Sequence, residues 1–123
     1  MRIFKTRHFA KWADKHRVDD ALLITAVYDI AIGLIDADYG GFLYKKRIAT
    51  KGRGKSGSVR TLLALQMNNK AYFLYGFEKN EQANISNKEK TAYKLLAKSM
   101  LGFTTKNINE RLEEGSLLEV KYE

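Results

Sequence analysis

The sequence predicts an α+β fold, and three observations carry that expectation. Two hydrophobic repeats of helical spacing come first; three β-prone runs then follow with only a glycine-rich break and a turn between them; helical spacing returns only afterwards. Helices segregated from consecutive strands point to an antiparallel sheet, because strands joined by short connections pair as a meander.

Residues 2–4 are a short extended start. Thr6 suits a helix N-cap, and Phe9, Trp12 and Ala13 fall on one side of the helix that follows. A second helix opens at Asp19 or Asp20, whose carboxylates favour a helix N-terminus. It runs through Leu22, Leu23, Ala26, Val27, Ile30 and Ala31 to a stop at Gly33. The pair reads as a hairpin that lays an apolar face on something else. After Gly40 and Gly41, residues 42–49 are β-prone and basic, 51–58 are a glycine-rich break, and 59–66 resume with Leu62, Leu63 and Leu65. Asn68-Asn69 signals a turn before the aromatic, extended run 71–77. Ser86 or Asn87 caps a helix with Ala92, Leu95, Leu96, Ser99 and Met100 on one face, ended by Gly102. Thr104 or Thr105 starts a short helix with Ile108 and Leu112, stopped by Gly115. Residues 117–122 alternate as a last strand, with a frayed tail as the alternative.

At 123 residues, with no proline and no Ser/Gly-rich linker, the chain reads as one domain over 1–123. The absence of cysteine excludes disulfide scaffolds, zinc fingers and cysteine nucleophiles, and suits a cytoplasmic location. No apolar run approaches the ~18 residues that span a bilayer, so no membrane partner is expected. Residues 1–15 have no apolar stretch between their basic residues, unlike a secretory signal.

Charge is unevenly placed. The formal net charge is +8, from 22 basic and 14 acidic residues. Seven of those bases (Lys45, Lys46, Arg47, Lys51, Arg53, Lys55 and Arg60) and no acid fall between positions 45 and 60. The remainder is nearly balanced, with 15 bases against 14 acids. A solvated surface usually mixes both signs. This segment therefore reads as an anion-binding surface, with a solubilising loop as the alternative.

Several chemistries fail on their own requirements. Ala49 to Ser56 reads A-x-x-x-x-G-K-S, close to a phosphate loop, but such a loop needs a helix directly after it. Here 59–66 reads as a strand. The glycines are better understood as letting a basic loop approach a phosphate backbone closely. The two histidines, His8 and His16, lie eight residues apart without a third metal ligand, and nothing in the sequence places them near the sheet. No metal site and no cofactor is expected. Glu78 and Glu81 lie near one strand end, while the other acids are dispersed, so paired-carboxylate hydrolysis has no support.

Cleavage of RNA by its own 2′-hydroxyl fits better. That reaction needs a base at the hydroxyl, cations on the phosphorane charge and an acid at the leaving 5′-oxygen. Lysine crowded by other cations loses its proton more readily, and arginine stays charged. Lys45 and Arg47, two apart on a strand, share a face. Arg60 lies just inside the next strand and Lys79 follows the third, so an antiparallel meander would let them converge. Tyr44, Tyr72 and Tyr75 lie along the strands, and at least one could stack on a base, with strand packing as the alternative.

Two motifs in order carry a resemblance: Lys51-Gly-Arg-Gly-Lys-Ser-Gly-Ser-Val-Arg60, then Tyr75-Gly-Phe-Glu-Lys-Asn-Glu-Gln-Ala-Asn-Ile85. With Ser86-Asn-Lys-Glu-Lys and the ending Glu114-Gly-Ser-Leu-Leu-Glu-Val120, the chain resembles RelE/HigB-type toxins of bacterial toxin–antitoxin pairs, more narrowly their phage- and plasmid-associated RelE branch. The resemblance implies a RelE-like fold, two N-terminal helices packed on a curved antiparallel sheet; residues 87–123, a C-terminal helical extension, are a tail longer than the compact relatives need. It implies an mRNA interferase acting in the ribosomal A site and leaving a cyclic phosphate. It also implies a cognate antitoxin, and operator DNA reached through the antitoxin complex.

By position, Lys45, Arg47, Arg60 and Lys79 correspond to the catalytic cations. Lys46, Lys51, Arg53, Lys55, Tyr75 and Asn80 are the RNA-binding candidates. The chain departs from compact relatives in carrying Asn80 beside Lys79 near the family's arginine, Ser86 where they have a stacking tyrosine, and no matching catalytic histidine. The leading expectation is a ribosome-dependent, metal-independent endoribonuclease that stops translation, with ribosome and mRNA as partners. A ParE-like gyrase poison and a non-catalytic nucleic-acid-binding module are the alternatives.

Overall fold

The computed structural model describes residues 1–50, 57–79, 82 and 84–122. In chain order the elements are β1 (Arg2–Thr6), α1 (Arg7–Lys15), α2 (Asp20–Ala31), β2 (Ala37–Asp38), β3 (Leu43–Ala49), β4 (Ser58–Gln66), β5 (Lys70–Phe77), α3 (Asn87–Leu101), α4 (Thr105–Glu114) and β6 (Leu117–Glu119). The predicted order holds, with β2 added as a two-residue strand.

Each helix starts where a side chain accepts a free first-turn amide. Thr6 Oγ1 accepts from the Phe9 amide at 3.0 Å, and Asp19 Oδ1 from Leu22 at 3.0 Å. Ser86 and Thr104 form reciprocal capping boxes with Glu89 and Asn107. Where the sequence offered two neighbouring caps, the first of each pair takes the extended backbone that capping requires. α2 ends just before Gly33, and Gly115 closes α4 in the left-handed conformation that its missing Cβ permits, at φ 84°.

The sheet has six strands in the order β2-β3-β4-β5-β1-β6. β3, β4 and β5 form the predicted antiparallel meander. β1 lies parallel to β5, so the sheet is mixed rather than wholly antiparallel as the resemblance implied. The reason is the α1–α2 and β2–β4 route: the chain leaves β1, crosses the helical hairpin and returns to the far side of the sheet. β6 then pairs antiparallel with β1 over only three residues, shorter than the predicted 117–122.

Helices cover both faces. Phe9, Ala13, Leu23, Val27 and Ile30 from the N-terminal hairpin pack on Ile3, Ile48, Val59, Leu63 and Phe73. On the opposite face, Ala97, Met100 and Ile108 from α3 and α4 pack on Phe4, Leu43, Leu62, Ala64 and Tyr72. Strand alternation therefore sends successive side chains to two different helical layers. The register slips between Leu62 and Leu63, which pair with Tyr75 and Phe73, so Leu74 is an extra residue in β5. This bulge puts both Leu74 and Tyr75 on the α3 side and turns the end of β5.

Candidate nucleic-acid interface

The cations of β3 divide by strand parity. Lys45 and Arg47 share the face of Leu43, which looks towards α3. In register with them on β4 and β5 are two rows, Lys45–Leu62–Tyr75 and Arg47–Arg60–Phe77. Arg47 and Arg60 are directly opposite, an arrangement that costs energy between like charges unless an anion lies between or above them. Arg47 is exposed and Lys45 and Arg60 are half-buried. Arg60 Nη1 donates to Ser58 Oγ at 3.1 Å, which holds the guanidinium near the strand start. Among the described residues, no carboxylate comes within ion-pairing distance of Lys45, Arg47, Arg60 or Lys79. Lys79 is exposed two residues past β5, at the same end of the sheet.

Lys46 goes elsewhere. Its side chain turns to the α2 face, where Nζ donates to the Leu34 carbonyl at 2.9 Å and sits 3.4 Å from Asp29. It is buried, and the structure does not bring it to the face that carries Lys45 and Arg47. Lys51, Arg53, Lys55 and Asn80, and most of the glycine-rich motif, lie outside the described residues. The strand β4 that follows this motif is not the helix a nucleotide-binding phosphate loop requires.

An aromatic group flanks the cations. Tyr75 has Phe77 at 6.0 Å and Tyr93 of α3 at 5.6 Å between ring centroids. Tyr75 also donates to Gln82 Oε1 at 3.1 Å. Burial, then the neighbouring Tyr75 and Glu89, push the Tyr93 phenol above its ordinary value, so the group stays neutral beside the cations. Of the other two tyrosines considered as stackers, Tyr72 is fully buried against Phe4 and Tyr44 packs on the α1–α2 side.

The histidines are nearer the sheet than the sequence suggested. The His8 ring is parallel to Tyr75 within 1°, with centroids 6.1 Å apart. His16 stacks on Trp12 at 4.5 Å, and its Nδ1 donates to the Trp12 carbonyl at 2.8 Å. Its Nε2 then faces Glu78 at 3.5 Å. Both reach β5 because Gly76 leaves room for α1: a Cβ there would fall inside the Trp12 ring. The sequence did hold a signal for this, since positions 8, 11, 12 and 15 share one helix face and carry His, Lys, Trp and Lys. No three His, Asp or Glu side chains among the described residues gather closely enough to hold a metal ion.

Comparison with known families gives one decisive match, to the RelE toxin of the RelE / RelB toxin–antitoxin system, over residues 1–120. The chain belongs to the RelE toxin family. No curated protein matches it closely enough to report a relative. Within this RelE chain, Ser86, where compact relatives place a stacking tyrosine by the sequence resemblance, has a structural task as the cap of α3. The longer tail is also built into the fold: Ala97, Met100, Ile108 and Leu117 are buried against the sheet, and β6 lengthens it. No helix among the described residues is long and apolar enough to cross a membrane.

Proposed function

We propose that this RelE-family chain is a ribosome-dependent mRNA endoribonuclease that blocks translation. The observation that carries the reading is the row of Arg47 and Arg60, with Lys45 one step away, on a sheet face without a described acidic partner. In this reaction the 2′-oxygen attacks the adjacent phosphorus, the P–O5′ bond breaks, and the products are a 2′,3′-cyclic phosphate and a 5′-hydroxyl. A base takes the 2′ proton and an acid delivers one to the 5′-oxygen. Arg47 and Arg60 neutralise the phosphorane, and Lys45 and Lys79 are the proton-transfer groups. Tyr75 stacks on a base beside the scissile step. Lys51, Arg53 and Lys55 hold the ribosomal RNA backbone, with Asn80 at the edge of the site.

On this reading residues 1–123 act as one toxin domain, with 87–123 as part of it, in the cytoplasm where ribosomes work. The partners are ribosome and mRNA, and a cognate antitoxin with an acidic or groove-filling segment that covers the basic surface. Operator DNA is reached through the toxin–antitoxin complex.

The test is direct. Adding the protein to a translating extract and mapping message ends should give cuts in codon register. Arg47→Ala and Arg60→Ala should each lower the cleavage rate by about 10²- to 10³-fold, as loss of one donor to a developing oxyanion does elsewhere. Intact message together with trapped gyrase–DNA breaks would replace this reading with the gyrase-poison one. Message bound but uncut would replace it with the non-catalytic one.

A further inference from the structure

β1 stops pairing with β5 at Phe73, so beyond that point the outer edge of β5 has no strand beside it among the described residues. α1 runs along this edge, and between them opens a cleft of about 380 Å³. One wall is the α1 face with His8, Lys11, Trp12 and Lys15; the other presents Tyr75 and Phe77. Phe9, Ala10 and Ala13 occupy the buried side of the same helix, so the His-Lys-Trp-Lys stripe is not its core-facing side. His8, Lys11 and Lys15 are exposed and Trp12 is half-buried. Among the described residues no acid lines the cleft, and Glu78, just past β5, faces His16 Nε2 at 3.5 Å.

We propose that this cleft between α1 and the end of β5 binds one nucleotide of single-stranded RNA, next to the phosphate held by Arg47 and Arg60. The inference rests on the RNA-cleaving reading and extends it by a subsite that none of the cations considered for cleavage lines. Flat aromatic groups facing cations suit a base with its phosphate: rings offer a π-face to any base, and lysines offer charge to the backbone. Lys11 and Lys15 are one helical turn apart, with their Cβ atoms about 5–6 Å from each other, close enough to serve adjacent phosphate oxygens. Phe77 is the cross-strand neighbour of Arg60, and neighbouring strands are about 4.8 Å apart. A nucleotide in the cleft therefore adjoins the cation row.

Trp12 is the single tryptophan, so its emission reports this cleft alone. The probe is a short RNA with every 2′-oxygen methylated, which can bind but cannot be cut. Its binding, followed by anisotropy of an end label, should coincide with saturable quenching of Trp12. Lys11→Ala/Lys15→Ala should weaken binding about tenfold and reduce the slope of log affinity against log salt by about 0.7, the value for one lost phosphate contact on a single strand. His8→Ala should weaken it at least fivefold, and His8→Phe should restore it if stacking is what the ring supplies.

Binding with unchanged Trp12 emission and wild-type affinity in all three variants would overturn the subsite, as would no binding at all. Neither result touches the cleavage reading, which the message-end map decides independently.

Discussion

Lys45, Lys46 and Arg47 are consecutive and chemically alike, yet strand alternation gives them different surroundings. Lys46 is buried under α2, with its ammonium on the Leu34 carbonyl and near Asp29. Lys45 and Arg47 face the other way, towards Arg60 and Tyr75. Lys46→Ala should cost about 1–2 kcal/mol of stability, chiefly the hydrogen bond and the packed stem, because Asp29 is partly solvent-screened. Lys45→Ala should change stability by less than about 0.5 kcal/mol while reducing message cleavage. Urea unfolding of both variants beside the cleavage assay checks this division; equal destabilisation would contradict it.

At the scale of elements, the approach of α1 to β5 decides what the site's edge contains. Gly76 admits the Trp12 ring against the strand, and the bulge at Leu74 aims Tyr75 towards α3 while leaving its ring beside His8. Phe9 completes the contact, tilted on Trp12 and on Phe73 at 5.6 and 5.3 Å. Gly76→Ala forces ring or backbone to move and should cost about 1–3 kcal/mol, as overpacking of a filled site does. The denaturation midpoint measures the loss, and a shift in Trp12 emission would locate it; an unaltered midpoint would show that α1 yields freely.

For the whole molecule, the two chain ends are tied into one sheet. The Arg2 guanidinium meets the Glu119 carboxylate through two bonds of 2.9 Å. Asp20 accepts from Lys5 at 2.7 Å and from the Lys121 amide at 2.8 Å. The Arg2 hydrogen bond holds Glu119 below its ordinary value. Burial alone would raise Asp20, but the Lys121 and Lys5 bonds outweigh it and leave the carboxyl lowered. A carboxylate with a depressed folded-state pKa adds stability that is complete above its unfolded value, about 4, and is lost as pH falls through the lowered one. β6 should therefore loosen from β1 first as the solution is taken from about pH 5 to about pH 3. Amide exchange at Leu118 and Val120 checks this, the latter donating to the Ile3 carbonyl at 2.8 Å. Glu119→Gln should remove part of the pH dependence, and equal protection at both pH values would refute the coupling.

The sequence by itself determined the helices, their caps, the antiparallel meander and the placing of Arg47 opposite Arg60's strand, because spacing, capping and turn chemistry act over a few residues. The two motifs around the glycine-rich loop and the end of β5 were enough to indicate the family. Other features depend on contacts between distant parts of the chain. Strand parity separates Lys46 from its neighbours only once the sheet has two helical layers to choose between. The parallel β1–β5 pair joins residues 68 positions apart, and the closing β6 meets β1 across 111 to 115, pairings that no local pattern specifies. The helix face shared by His8, Lys11, Trp12 and Lys15 is legible in the sequence, but its place beside Tyr75 is not: only the docking of α1 on Gly76 brings that face to a strand end.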